Sequence, residues 1–192
     1  SGAGLFSAGF AASGFRPVLA VDVSKEAVAS FNRNLGPVAL VGSVVSMRDI
    51  PKAEVLIAGP PCQGFSTLGR QDPKDKRNDL SLEIPRWAAA CGALVVAVEN
   101  VPPFLKSPQW RELATKLEDL GYAITTWVLD AADYGAAQIR RRAFTIASKI
   151  GDVERPQPLA FRVNAGDILE KEIEADDQLH IWPNPTGVAK QR

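Results

Sequence analysis

The sequence predicts an α/β domain: a mostly parallel sheet with helices on both faces. Three observations predict it. Short apolar runs at residues 18–21, 38–41, 55–58 and 93–98 alternate with segments whose apolar residues recur at helical spacing. Glycine or proline stands at most of the junctions between them. The residues with chemical potential, Asp22, Cys62 and Glu99, fall at the carboxyl ends of apolar runs, the rim on which doubly wound sheets bind ligands.

Each element follows from local signals. Residues 5–14, after Ser1-Gly2-Ala3-Gly4, form a short helix closed by Gly14, and the strand that should feed this glycine turn is missing. Residues 17–22 read as a buried strand, Ser24 caps a helix that runs to about Asn34 before Gly36-Pro37 breaks it, and residues 38–41 form the next strand. The run 55–58 leads into the turn Gly59-Pro60-Pro61-Cys62, and residues 69–78, charged and rich in turn formers, are expected to be a mobile surface loop. A helix ends at Gly92 with Pro85 in its first turn or kinking it. The strand 93–98 then runs up to Glu99-Asn100-Val101. Ser107-Pro108 starts a helix whose stripe of Trp110, Leu113, Ala114, Leu117 and Leu120 is core, with Gly121 stopping it. Residues 123–129 and 143–148 are strands flanking Asp133-Tyr134-Gly135 and Arg140-Arg141-Arg142. Beyond Gly151 prolines, acids and short apolar islands replace this pattern, and no second core is complete.

Bulk composition narrows the class of function. At 192 residues, 46% hydrophobic and 23% charged, the chain is long enough for one globular domain and part of another. It has no apolar run near the roughly 20 residues that span a bilayer and no basic and apolar leader, so the reading is an intracellular protein without a membrane partner. The net charge of zero argues against indiscriminate coating of nucleic acid, yet it is unevenly spread. Residues 152–177 carry eight acids and three bases, leaving residues 1–151 basic, with cations gathered at Arg70, Lys74, Lys76 and Arg77 and again at 140–142. Two cysteines in such different contexts indicate reduced thiols, with Cys91 a small buried hydrophobe.

Cys62 has a different setting. Two prolines fix the direction of its turn and Gly64 permits close backbone approach, so the thiol is presented, and it becomes reactive if a cation or an acid–base partner favours its thiolate. The glycines of the start either serve a ligand or let a helix approach the sheet; Asp22, eighteen residues after Gly4, favours a ribose-binding carboxylate. Arg140 and Arg142 point to one side by strand alternation, either as a solvated basic patch or as guanidinium groups that bind phosphate, base or cofactor. His180 has no companions of metal-ligand type, and no metal site is expected.

Taken together, the segments Ser1-Gly2-Ala3-Gly4-Leu5-Phe6, Pro60-Pro61-Cys62-Gln63, Glu99-Asn100-Val101 and Gln138-Ile139-Arg140-Arg141-Arg142 resemble, in content, order and spacing, the motifs of the cytosine-C5 DNA methyltransferases. Arg77-Asn78-Asp79-Leu80 and Asp133-Tyr134-Gly135 also fit. The resemblance implies a Rossmann-like, S-adenosylmethionine-dependent methyltransferase sheet with helices on both faces, here lacking its first strand and C-terminal part. It implies Cys62 as the nucleophile that adds to C6 of a flipped-out cytosine, and Glu99 as the acid at the base edge. Arg142 would meet the cytosine carbonyl and Arg140 would hold the site together. Ser1, Gly2, Gly4, Leu5, Asp22, Val23, Ser43, Val44, Gly59, Pro61 and Leu80 would line the cofactor, and Gln63, Ser66 and Gln138 would face DNA. Leu5 and Ser43 depart from the family's usual glycine and aspartate.

The same resemblance divides the chain into an incomplete catalytic, cofactor-binding domain at 1–150 and, at 151–192, a linker with the start of a target-recognition region. It implies double-stranded DNA as substrate, a monomer in the cytoplasm of a bacterial or phage-infected cell, and a cognate restriction endonuclease in the same system without direct contact. A tRNA cytosine-C5 methyltransferase and an inactive DNA-binding remnant are the rival readings. The piece by itself is expected to bind cofactor poorly and to be inactive.

Overall fold

Glycine starts the fold because two helices meet there. In the computed structural model, which describes residues 1–61 and 76–168, Gly4 has φ +93°, and a Cβ on it would lie 2.7 Å from Leu35 Cδ1 and 2.9 Å from Phe31 Cδ2. Only glycine tolerates both the dihedral and the approach. It opens α1 (Leu5–Ala12) against α2 (Lys25–Leu35), whose own start is the Ser24 hydroxyl accepting the Ala27 N–H at 3.1 Å. Between them runs β1 (Ala20–Asp22), paired in parallel with β2 (Ala39–Val41) so that Asp22 stands opposite Val41. Ala20, Val28, Phe31 and Ala39 make the small core of this unit.

A second sheet contains β3 (Val55–Ala58), β4 (Val95–Asn100), β5 (Ala123–Asp130) and β6 (Arg141–Ser148) in the order β3-β4-β6-β5. The pair β3–β4 is parallel, but β6 runs antiparallel to both β4 and β5. The expectation of a mostly parallel sheet is therefore corrected to a mixed one. Its cause is local: β5 and β6 are joined by a short 3₁₀ turn (Ala131–Tyr134) and a few further residues, too little chain for the crossover that parallel neighbours need. The predicted helices are present as α3 (Ile84–Cys91), with Pro85 in its first turn and Gly92 closing it at φ +75°, and α4 (Pro108–Asp119), started by Ser107 accepting the Trp110 N–H. Leu113 and Leu117 of α4 pack with Val96 and Val98 of β4, Phe104 and Tyr122 in the main core.

Two further expectations change. Residues 76–78 are not loop, because a 3₁₀ helix (Lys76–Glu83) leads straight into α3, anchored by Leu82 on the main core and by buried Ser81. The rest of that predicted loop, residues 69–75, lies outside the described residues. The strand foreseen at 17–22 shortens to β1 because residues 17–19 have no strand beside them. No described strand lies between β1 and β3; a groove of about 890 Å³ separates them, lined by Phe10, Val18, Leu19, Val55, Ile57 and Trp87 among others. That gap is the shape a sheet without its first strand would have. Past β6 the chain runs extended and returns to the 3₁₀ turn, where Leu159 N–H donates to Asp133 O at 2.8 Å, Tyr134 hydroxyl donates to Pro156 O at 3.0 Å, and Arg162 pairs with Asp133. A single turn, α5 (Ala165–Ile168), follows. No described helix is long and apolar enough to cross a membrane.

Candidate active site

The carboxyl ends of β3 and β4 and the start of β6 converge because their pairing is in register. Val98 stands opposite Ala58, and Glu99 opposite Phe144, so the two residues after β3, Gly59 and Pro60, lie beside Glu99 and Asn100. Asn100 Nδ2 donates to Pro60 O at 3.4 Å, and its Oδ1 accepts the Val101 N–H at 2.8 Å, tying the turn before Cys62 to the end of β4. Gly59 borders the acid: a Cβ there would meet Glu99 Oε2 at 3.7 Å, an ordinary van der Waals contact.

Glu99 and Arg142, forty-three positions apart in the sequence, form an ion pair, Nε to Oε1 at 2.9 Å, with both side chains about one-quarter exposed. Arg142 Nη1 also donates to the carbonyl of Arg141 at 2.8 Å. These two bonds fix the plane of the guanidinium and leave Nη2 and Glu99 Oε2 without a hydrogen bond among the described residues. Arg140 acts through its backbone: its N–H donates to Asp130 Oδ1 at 3.0 Å and its carbonyl accepts the Ala131 N–H, while its side chain and that of Gln138 are exposed. Asp130 thereby holds the entry to β6, a task the sequence reading did not assign it. Its signal was available, an acid at a strand end directly before the Asp133-Tyr134-Gly135 turn.

A second cluster forms at the carboxyl end of β1. Asp22 Oδ2 accepts the Gly2 N–H at 2.7 Å and the Ser1 amino group at 3.1 Å, and Oδ1 accepts the Ser24 N–H at 3.0 Å. Burial pushes the Asp22 carboxyl up, but hydrogen bonds led by the Ser24 and Gly2 N–H groups outweigh it and hold it below the usual carboxylate range. Gly2 has φ +57° with open space where a side chain would be. Gly4, by contrast, faces α2, so part of the glycine pattern serves helix packing. Leu5 and Val23 flank the cluster in sequence and expose 87% and 74% of their surfaces, leaving apolar area uncovered beside a fixed carboxylate. The Gly42 N–H donates to Asp22 O at 2.9 Å, which brings Ser43 and Val44 to the same rim. Leu80, half-buried in the 3₁₀ helix, makes no hydrogen bond with these groups among the described residues.

Cys62, Gln63, Ser66 and His180 lie outside the described residues, and Pro61 is the last described residue before them. Cys91 is buried, its thiol 3.6 Å from Ala88 O, and burial pushes its pKa up, as a structural cysteine requires. Among the described residues no three histidine, cysteine, aspartate or glutamate side chains form a metal-binding group.

Residues 1–180 match the family described as C-5 cytosine-specific DNA methylase. The chain is 32% identical over 185 residues to the type II methyltransferase M.DdeI of Desulfomicrobium norvegicum, covering 90% of this chain and 44% of that protein. It is 32% identical over 159 residues to M.HgiDI of Herpetosiphon aurantiacus, covering 80% and 52% respectively. The chain thus spans about half the length of the curated relatives it matches. Among solved structures, the Dnmt2 methyltransferase of S. pombe shares the fold with a TM-score of 0.67 at 22% identity, over 81% of this chain and 50% of that one.

Proposed function

The chain belongs to the C-5 cytosine-specific DNA methylase family, and from that premise we propose that it carries the reacting residues of an enzyme transferring a methyl group from S-adenosylmethionine to C5 of a flipped-out cytosine in double-stranded DNA. The observation that carries this reading is the Glu99–Arg142 ion pair, whose Glu99 Oε2 lies beside Gly59, three positions before Cys62.

C5 of cytosine is a weak nucleophile until a group adds at C6. The Cys62 thiolate forms that carbon–sulfur bond as Glu99 hydrogen-bonds the base edge and stabilises the proton that N3 takes up from solvent, so that the C5–C6 electron pair becomes an enamine with its nucleophilic carbon at C5. Arg142 Nη2 hydrogen-bonds the cytosine carbonyl, holds the base in plane and keeps Glu99 oriented through Nε. After methylation the C5 proton leaves to water, the C5–C6 double bond re-forms, Cys62 is expelled as thiolate, and N3 returns its proton to solvent. Reaching C6 requires the base outside the stack, and Gln63, Ser66 and Gln138 are assigned to the DNA around it.

The residues present fit the methyl donor. Asp22, with one oxygen committed to two donors and the other to one, retains lone-pair capacity for ribose hydroxyls. The open backbone at Gly2 suits the amino-acid end, the uncovered Leu5 and Val23 suit apolar parts, and Ser43, Val44, Gly59, Pro61 and Leu80 complete the assigned lining. When bound, the cofactor supplies an electrophilic methyl on a sulfonium. In this reading residues 1–150 are the catalytic domain, residues 151–192 lead to a target-recognition region, and the protein works as a cytoplasmic monomer in a restriction–modification or phage setting.

The test is covalent trapping. Full-length gene product incubated with cofactor and DNA containing 5-fluorocytosine should form a denaturation-resistant adduct that Cys62→Ser abolishes. Adduct formation with tRNA and not with DNA would move the substrate to RNA, and no adduct with either would mark a catalytically inactive protein.

A further inference from the structure

The turn at residues 43–47 is held from outside the proposed cofactor cluster by two side chains of α3. Arg86 Nη2 and Trp87 Nε1 both donate to the carbonyl of Val44, the latter at 2.9 Å, and Arg86 Nη1 donates to the carbonyl of Met47 at 3.0 Å. Glu83 fixes the arginine by accepting from Nε at 2.8 Å, and the guanidinium lies 5.9 Å from the centre of the Trp87 ring. Arg48, on the turn itself, adds bonds to Val45 O at 2.7 Å and Met47 O at 3.1 Å. Val44 therefore has its carbonyl drawn toward α3 by two donors more than forty positions away in sequence.

Such concentration has a consequence for the opposite side of the turn. When the Val44 and Met47 carbonyls are pulled toward α3, the peptide planes are oriented, and the Val44 N–H and the Ser43 hydroxyl are presented in one fixed arrangement. Ser43 is itself fixed, its Oγ accepting the Val45 N–H at 3.3 Å and its carbonyl accepting the Ser46 and Met47 N–H groups at 3.2 Å. The Gly42 N–H bond to Asp22 O ties the start of this turn to the carboxylate assigned to the ribose. A guanidinium fork can hold two carbonyls at once; an ammonium is a point charge without that planar fork.

We propose that Arg86 and Trp87 are positioning residues that set the turn 43–47 for recognition of the purine end of the cofactor, and so determine affinity for adenine and its discrimination from related bases. This rests on the assignment of Asp22, Ser43 and Val44 to the cofactor. Neither α3 residue touches the cofactor; both act through the backbone of the turn. The arginine has a legible sequence signal, one cation in the otherwise apolar helix Ile84-Pro85-Arg86-Trp87-Ala88-Ala89-Ala90-Cys91.

The experiment is calorimetric binding of S-adenosylhomocysteine and S-inosylhomocysteine to the full-length gene product and to Arg86→Met, Arg86→Lys, Trp87→Phe and Asp22→Asn variants, with melting temperatures and KM for DNA. Arg86→Met is expected to bind S-adenosylhomocysteine about tenfold more weakly and to lose much of its preference for adenine over hypoxanthine, with KM for DNA unchanged. Trp87→Phe, which keeps the ring and loses one donor, should shift both quantities in the same direction by less, and Arg86→Lys should restore little. Wild-type affinity in folded variants overturns the proposal, as does equal weakening toward both ligands with the preference intact, which is what general loosening produces. Asp22→Asn separates the two levels. If it weakens binding while Arg86→Met and Trp87→Phe do not, the clamp falls and the cofactor assignment stands; if none of the three weakens it, both fall.

Discussion

Arg142 Nε lies 2.9 Å from Glu99 Oε1, joining the end of β4 to the start of β6. The pair is about one-quarter exposed, so its direct contribution to stability is small, and its value lies in orientation.

Replacing either partner should therefore affect turnover far more than folding. Glu99→Gln and Arg142→Ala are each expected to lower single-turnover methylation by the full-length protein by about 10²–10⁴-fold, the range for loss of a positioned acid–base or electrostatic group. The double variant should lose much less than the product of the two. Multiplicative losses would show that the residues act independently.

Asp22 carries a pH dependence whose sign follows from its lowered pKa. The carboxyl titrates in the folded protein below its usual value of 3.8, so its stabilising contribution is fully present above that value. It disappears as pH falls through the lowered folded pKa. Thermal melts of wild type and Asp22→Asn should differ by a constant amount from pH 5 to 8, and the gap should close below about pH 4. A gap that instead closed on the alkaline side would assign the effect to another group.

Gly4 and Gly2 separate conformational strain from steric conflict. Gly4→Ala forces a Cβ to within 3 Å of Leu35 and Phe31 at φ +93° and should destabilise the chain by about 2–4 kcal/mol. Gly2→Ala meets only the left-handed dihedral, with open space around it, and should cost about 1 kcal/mol. Chemical denaturation of the two variants measures the difference.

Cys91 should behave as a buried thiol. Burial raises its pKa and lowers its thiolate fraction at neutral pH, so iodoacetamide should leave it unmodified in the native protein and label it after unfolding. Peptide mapping reads the label on the Cys91 peptide separately from that on Cys62. Rapid native labelling would place Cys91 in contact with solvent.

Much of this arrangement was legible along the chain because its causes are local. Ser24 and Ser107 start helices through their own hydroxyls, Gly92 and Gly121 end them in the left-handed region, and the stripe of α4 follows helical spacing onto the core. Glu99 and the arginine run became candidate site residues through the order and spacing of their motifs, which resemble those of the family, since each by itself reads as an ordinary strand-end acid or a basic patch. The direction of β6 was less legible: the strand signals of 123–129 and 143–148 are compatible with either direction, and only the short connection between them, folded as a 3₁₀ turn, makes it antiparallel.

The sequence by itself determined where helices begin and end, which residues form the core stripe and which side chains are candidates for chemistry, because caps, periodicity and motif order operate over a few neighbouring residues. Only the tertiary structure decided that Arg142 engages Glu99, that Gly4 serves the packing of α1 on α2, and that Arg86 and Trp87 grip the turn at Val44. Those contacts join positions some 27 to 43 residues apart, and which partners meet is set by strand register and by how helices seat on the sheet, which no local pattern encodes.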